Sequence, residues 1–220
     1  MSDIEGSNFN EMSTFVDTPE NNFGCSDRFI GNFLDKPGDL EHIVKNKIWV
    51  TSDTHFHHKN ILVYEAASRP FKDCPEMDMA LIDRWNERVG PEDVVFHLGD
   101  FAFASKNTIS VIAHRLNGRK FLLLGNHDRV RKFDWEHLGF DHVLQRPFIM
   151  DDRFIFSHEP LEEIPDGKIN IYGHVHGSAY FNTIDHNRIC VCVERWNCAP
   201  IEYEFIKNMF KSESPAIPEQ

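Results

Sequence analysis

Five short stretches of the 220-residue chain end in side chains able to bind metal ions or move protons. "WVTSDTHFHHKN" passes from Trp49 and Val50, both strand formers, to Asp53, His55, His57 and His58. "VVFHLGD" ends in Asp100, "FLLLGNHD" in Asn126, His127 and Asp128, "FIFSH" in His158, and "INIYGHVHG" contains His174 and His176. A carboxylate or imidazole at the inner end of a buried strand is costly unless something charged holds it there. Imidazole, carboxylate and amide oxygen without thiolate suit Mn, Fe, Zn or a similar divalent ion. Closely placed carboxylates repel unless positive charge lies between them, so two metals sharing one bridging aspartate would account for the set.

A single histidine at a strand end is ordinarily a hydrogen-bonded surface group. Of the 13 histidines, those at 42, 57, 58, 97, 114, 137, 142 and 186 are read in that way, as structural or surface residues. Five clusters of similar makeup at five strand ends are not explained so. Cys190 and Cys192 share a strand face in "RICVCV". They are read as small apolar filler rather than as a thiolate site completed by Cys198.

The elements that must position these residues follow from the patterning. Short apolar runs alternate with helical segments at first and with hairpins later, which predicts an α/β fold with mixed sheets. "CPEMDMALIDRWNERVGPED" predicts a helix with Pro75 at its first position, Met77, Ala80, Leu81, Trp85 and Val89 as its apolar stripe, Gly90 as its cap and Pro91 as its stop. A second helix is expected from Ser105 to a capping Gly118. "FIMDDRFIFSH" reads as a hairpin with Asp151 and Asp152 at the turn, and "PIEYEFI" as a strand closing a sheet. In open α/β sheets the C-terminal strand ends converge on the ligand crevice. Gly99, Gly125 and Gly173, preceding three of the clusters, are expected to let the backbone turn sharply.

Composition bounds the partners. A net charge of −12 disfavours diffuse attraction to nucleic acid or to an anionic membrane, and residues 1–46 carry nine acids against three bases. No apolar run approaches the length that spans a bilayer, no signal peptide opens the chain, and five cysteines fit no secreted disulfide framework. A cytoplasmic location is the simplest expectation. Residues 1–46 read as an acidic extension, partly ordered around "DRFIGNFL" or disordered. Residues 47–208 read as the globular domain, and 209–220 as a loose tail.

D-x-H at 53–55, G-D at 99–100, G-N-H-D at 125–128, a lone His158 and G-H-x-H at 173–176 resemble the calcineurin-like metallophosphoesterases, in order and without omission. "HFHHKN", "ASRPF" and "VERWNCAPI" resemble phrases of small bacterial and phage-type members. The resemblance implies two stacked mixed β-sheets flanked by helices. It implies that Asp53, His55 and His176 hold one metal, that Asn126, His158 and His174 hold the other, and that Asp100 bridges them. His127 would be the catalytic histidine and Asp128 would steer it; alternatively Asp128 caps a helix beginning at "RVRKF".

The mechanism so implied uses two divalent ions, Mn²⁺ first, with Fe, Zn or Ni as alternatives. They would share a hydroxide that attacks phosphorus in line with the leaving oxygen. Arg69 and Arg129, with Lys59 and Arg195, could hold a second phosphate, though each is also a plausible solvated surface charge. Phe56, Phe101, Phe103, Tyr180 and Trp196 could stack on a base or could be core. The Ser/Thr protein phosphatase branch continues its second motif as G-D-x-x-D-R-G, whereas this chain reads "GDFAFAS". The expected substrate is therefore a small, nucleotide-like phosphodiester, with no stable nucleic-acid complex and no membrane partner. A DNA-repair-type nuclease and a non-catalytic binding module on the same fold are the alternatives. Oligomeric state is left open.

Overall fold

The structure, a computed structural model, describes residues 45–128 and 132–211 together with Ile43. The stretch around "DRFIGNFL", Arg129 with the start of "RVRKF", and the chain beyond 211 lie outside the described residues.

Among the described residues ten strands form two five-stranded sheets. The first contains β1 (Ile48–Thr51), β2 (Val94–His97), β3 (Arg119–Leu123), β4 (His142–Leu144) and β10 (Ile201–Glu202), in the order β10-β1-β2-β3-β4. The second contains β5 (Phe148–Met150), β6 (Phe154–Ser157), β7 (Ile169–Tyr172), β8 (Ile184–Asp185) and β9 (Arg188–Cys190), in the order β5-β6-β7-β9-β8. β1 to β4 pair in parallel, as do β6, β7 and β9, while β10, β5 and β8 run antiparallel at edges. Both sheets are mixed, as expected.

Period-two alternation assigns the faces. Val50, Val94, Phe96, Phe121 and Leu123 point between the sheets onto Phe154, Phe156, Ile169 and Ile171. Their neighbours Trp49, Val95 and Leu122 point outward onto Met77, Leu81, Trp85, Ile109 and Ile112. Those residues belong to the helices α2 (Cys74–Asn86) and α3 (Lys106–Arg115). The shorter helices are α1 (Ile61–Tyr64), α4 (Lys132–His137) and α5 (Tyr203–Met209). Among the described residues no helix is long and apolar enough to cross a membrane.

Local signals hold where a side chain caps its own helix. Asp73 accepts the Glu76 N–H (2.9 Å) at the start of α2, and Ser105 accepts the Thr108 N–H (3.3 Å) at the start of α3. The hairpin turn is also as expected. Asp151 and Asp152 both take left-handed φ (51° and 50°), a region that aspartate tolerates better than most residues.

Three expectations fail. α2 ends at Asn86 rather than at Gly90, and the Glu87, Arg88 and Val89 N–H groups bond back to the Asp83 and Trp85 carbonyls in a closing turn before Gly90. α3 likewise ends at Arg115, short of Gly118. "PIEYEFI" contributes only Ile201–Glu202 to the first sheet and then turns into α5, which buries Tyr203 and Ile206 in the inter-sheet core.

The consequence for chemistry is a matter of direction. β1, β2, β3, β6 and β7 all end on the same side of their sheets, so the loops that follow them meet at one edge of the sandwich.

Candidate metal centre

The loops after β1 and β2 run side by side, through Asp53 N–H to Gly99 O (2.9 Å), His55 N–H to Asp100 O (3.0 Å) and Phe56 N–H to Phe101 O (2.9 Å). That pairing brings Asp53 and His55 beside Asp100. Each of these three residues takes positive φ (55°, 46° and 58°), as do His174 (70°) and His176 (48°). Non-glycine residues rarely adopt this region, at a cost of order 1–3 kcal/mol each, and such strain collects at functional sites. Here the strained residues are those whose ligand atoms cluster.

The glycines serve this crowding for different reasons. Gly99 has φ +96° and turns the chain as expected. Gly125 and Gly173 are needed for space. A Cβ on Gly125 would collide with Asp100 Oδ1, and one on Gly173 with Asp53 Oδ2.

Two groups of potential ligand atoms result, each within 4.8 Å: Asp53, His55 and His176, and Asp100, His158 and His174. In both aspartates one carboxylate oxygen is tied down and the other is presented. Asp53 Oδ2 accepts the His174 N–H (2.8 Å) and the Cys192 thiol (3.2 Å), while Oδ1 is buried without a partner, 3.8 Å from His176 Nε2. Asp100 Oδ1 accepts the His127 N–H (2.9 Å), while Oδ2 lies 3.5 Å from both His55 Nε2 and His158 Nε2. Asp100 therefore sits between the two groups.

The imidazoles are fixed in the same sense. His158 donates from Nδ1 to the Leu98 carbonyl (2.8 Å), which leaves its Nε2 as a lone pair facing Asn126 Oδ1 (2.8 Å) and His174 Nδ1 (3.3 Å). His176 Nδ1 is held by Glu194 Oε1 (3.0 Å), leaving Nε2 toward Asp53. Both ring nitrogens of His55 are buried without a hydrogen-bond partner. A buried polar atom without a partner costs free energy. Orphaned atoms at the Asp53 group, and acceptor lone pairs of His158 and Asn126 turned on one another at the Asp100 group, are what a pair of divalent cations would satisfy, so the residues present fit such ions.

Burial and neighbouring charge set the protonation of these groups in different directions. Burial, with the charge of His176 beside it, holds the His55 imidazole far below its ordinary value, so it stays neutral. Burial raises Asp53. Burial alone would depress His176, but the hydrogen bond and charge of Glu194, with Asp53 behind it, push it up to about 9. The His176 Nε2 faces Asp53, where a cation would be held, and a bound metal would displace its proton.

The remaining expected site residues divide. His127 lies at the centre, its ring 5.7 Å from that of His55 and 5.6 Å from that of Phe103, with Nδ1 buried and unpartnered. The hydrogen bonds of Asp128 go to the backbone rather than to that ring. Its carboxylate accepts three backbone N–H groups, from Asp100 (2.7 Å), Phe101 (3.0 Å) and Gly125 (2.9 Å), and so staples the loops after β2 and β3 together. Burial, partly offset by these bonds, pushes its carboxyl up to about 6.

Arg69 is not a substrate residue in this structure. It is 1% exposed, with its guanidinium on Glu194 and on the carbonyls of Thr54 and Asp53. Arg195 is spent on the carbonyls of His176 and Ser178 and on the Thr183 hydroxyl. Lys59 is exposed, and Arg129 lies outside the described residues. Cys190 and Cys192 touch through sulfur (3.3 Å), while Cys198 lies elsewhere against Ser68.

Sequence reasoning missed Glu194 and His58. Glu194 stands two residues past Cys192 in "VCVERW", and an acid that close to the end of a buried run was the available signal. His58, read as surface, stacks on Phe103 (4.4 Å between centroids, 18° between planes) and faces His55 at 5.2 Å.

A sequence model of the calcineurin-like phosphoesterase family matches residues 46–211, most of the chain and every motif above. The chain belongs to that family. Membership implies a metal-dependent phosphoester hydrolase, and the two sheets have the family's sandwich architecture. An uncharacterised protein of Methanocaldococcus jannaschii is 31% identical over 176 residues, covering 75% of this chain and 92% of its own. The gene 66 protein of Mycobacterium phage L5 is 28% identical over 183 residues, covering 67% of this chain and 86% of its own. A crystal structure of a protein of unknown function from Aquifex aeolicus superposes with a TM-score of 0.59 at 27% identity, covering 74% of this chain and 99% of that one.

Proposed function

We propose that this phosphoesterase is a dinuclear-metal-dependent phosphodiesterase acting on small, nucleotide-like diesters. The observation that supports it most is the position of Asp100 Oδ2, at 3.5 Å from an imidazole of each ligand group. Asp53, His55 and His176 would hold one ion, Asn126, His158 and His174 the other, and Asp100 both. Oxygen and nitrogen donors of this kind suit Mn²⁺, with Fe, Zn or Ni as alternatives. Bound there, the ions supply positive charge for the phosphate oxygens and acidify water near neutral pH.

The protein's own contribution centres on His127. Its backbone N–H is pinned to Asp100, which fixes the ring's origin, and Asp128 fixes the loop around it. A ring so held can hydrogen-bond the leaving oxygen and deliver a proton to it, a contribution typically worth about 10²–10⁴-fold.

The preference for a diester is argued from what faces the site. Where the protein phosphatase motif has its acid and arginine, this chain has Phe103 and Ala104. Arg69 and Arg195 are committed to protein acceptors, so neither is available to clamp a phosphate dianion. The test is a comparison of kcat/KM for matched aryl phosphodiesters and monoesters with Mn²⁺-loaded protein, with and without chelator. Diesters should be preferred and chelation should abolish turnover. Preference for phosphopeptides, or processive degradation of long DNA, would overturn the reading.

A further inference from the structure

Five aromatic residues are candidates for stacking on a planar group, and the fold removes all but one from the edge of the metal centre. Phe56 and Phe101 are fully buried in the helix-facing core. Trp196 packs against the inter-sheet core and donates Nε1–H to the Cys190 carbonyl (2.8 Å). Tyr180 is solvent-exposed, with no ring contact to any histidine of the site among those described. Phe103 differs from them. It is 43% exposed, and its ring lies 5.6 Å from that of His127.

Its presentation is rigid. The Phe103 N–H is held by the Phe56 carbonyl (2.9 Å), directly after the bridge between Phe56 and Ala102. His58 lies face to face against one side of the ring, at 4.4 Å and 18°. One face is thus supported by an imidazole, and the partly exposed ring lies beside His127.

We propose that Phe103, backed by His58, is the stacking platform for a planar aryl or nucleobase group on the leaving side of the substrate. The inference rests on the phosphodiesterase reading, because that reading places the leaving oxygen at His127. A group joined through that oxygen passes next over Phe103. Stacking on an aromatic ring is tolerant of base identity, since every base has a π-face, so the platform selects planarity rather than one nucleobase.

The experiment measures binding to the full-length, Mn²⁺-loaded protein by calorimetry, with metal content determined on each sample. Adenosine 5′-monophosphate and ribose 5-phosphate present the same phosphate with and without a base. The wild type should bind the nucleotide at least about tenfold more tightly, the scale of one base–aromatic stack. Phe103→Leu should remove most of that difference without changing metal content or the ribose 5-phosphate affinity, and Phe103→Trp should preserve it. His58→Leu should weaken the nucleotide in the same selective way. Equal binding of both ligands by the wild type overturns the platform alone, as does a Phe103→Leu protein that keeps the full difference. Failure to bind either ligand, together with no hydrolysis of any diester, overturns the phosphodiesterase reading and the platform with it.

Discussion

Glu194 lies with Oε1 3.0 Å from Nδ1 of His176, and its other close partner is the buried guanidinium of Arg69. Burial opposes a charged Glu194, but Arg69 and the hydrogen bond and charge of His176 together outweigh it and hold the carboxyl below the ordinary range. An anionic carboxylate on Nδ1 fixes the tautomer and orientation of a histidine whose Nε2 faces a metal position. Arg69 in turn grips the carbonyls of Asp53 and Thr54, so the first ligand group is braced from behind.

Replacing Glu194 with Gln should weaken metal binding at the Asp53 group. Losses of about 10–100-fold are usual for such supporting partners. Titration of the metal-free protein with Mn²⁺ should show one class of site weakened and the other retained. Arg69→Met should be worse for the fold, since it leaves a buried carboxylate without its cation. Breaking one partner of a buried pair costs about 3–5 kcal/mol, which chemical denaturation would register.

Asp100 Oδ2 lies 3.5 Å from an imidazole of each ligand group, so on the proposed reading Asp100→Ala should lower the occupancy of both positions and strip nearly all turnover. Metal analysis after dialysis, set beside a diester assay, checks this. Full activity in an exhaustively demetallated wild type would refute metal dependence.

His127 is expected to act on the substrate and not on the metals. His127→Ala should lower kcat by about 10²–10⁴-fold. Metal content should stay near that of the wild type. Loss of metal in this variant, or an unchanged kcat, would contradict the role.

Asp128 makes a different kind of prediction, because its carboxylate holds three loop N–H groups. Asp128→Ala should lower the denaturation midpoint and loosen metal retention, since each buried donor left unpaired costs about 1–3 kcal/mol. A variant with undiminished stability and metal content, slowed only in kcat, would instead favour direct steering of His127.

His97 supplies a pH dependence. Its Nδ1 accepts the Gly99 N–H (3.2 Å), so its Nε2–H donates to the Thr54 hydroxyl (2.9 Å), and burial lowers its pKa from 6.5 to about 3. Between those values the unfolded chain binds the extra proton and the folded chain does not. The contribution of neutral His97 is therefore complete above the unfolded value and declines as pH falls below it, by up to ~1.4 kcal/mol per unit. His97→Gln should flatten the slope of unfolding free energy against pH from roughly pH 6 to 4. Equal slopes in urea titrations of the two proteins would refute it.

Much of the architecture was legible because its signals are local. Strands of four or five residues announced themselves as apolar runs, and the hairpin turn was marked by Asp151 and Asp152. The metal-binding types were visible as polar residues interrupting each run, since a strand end is the place where a buried backbone stops being able to tolerate only apolar side chains. What failed was whatever depended on a partner elsewhere in the chain. "PIEYEFI" leaves its sheet after Glu202 as Tyr203 and Ile206 bury in the inter-sheet core, whose other members lie far away in sequence.

By itself, the sequence determined which residues could hold cations and in what order the strands would deliver them, because residue type and strand period are properties of neighbouring positions. Only the tertiary structure decided what each polar residue beyond those ligands is for. Arg69, in sequence a plausible phosphate clamp, is withdrawn from solvent by Glu194, 125 residues away. Asp128, one residue from His127, turns away from it to staple the loop carrying Asp100. Phe103 is the aromatic residue left at the edge of the site while Phe56 and Phe101 are buried. A charged or aromatic side chain is drawn to whichever partner satisfies it at least desolvation cost. That partner is chosen when the two sheets close against each other, by distances that no stretch of the chain contains alone.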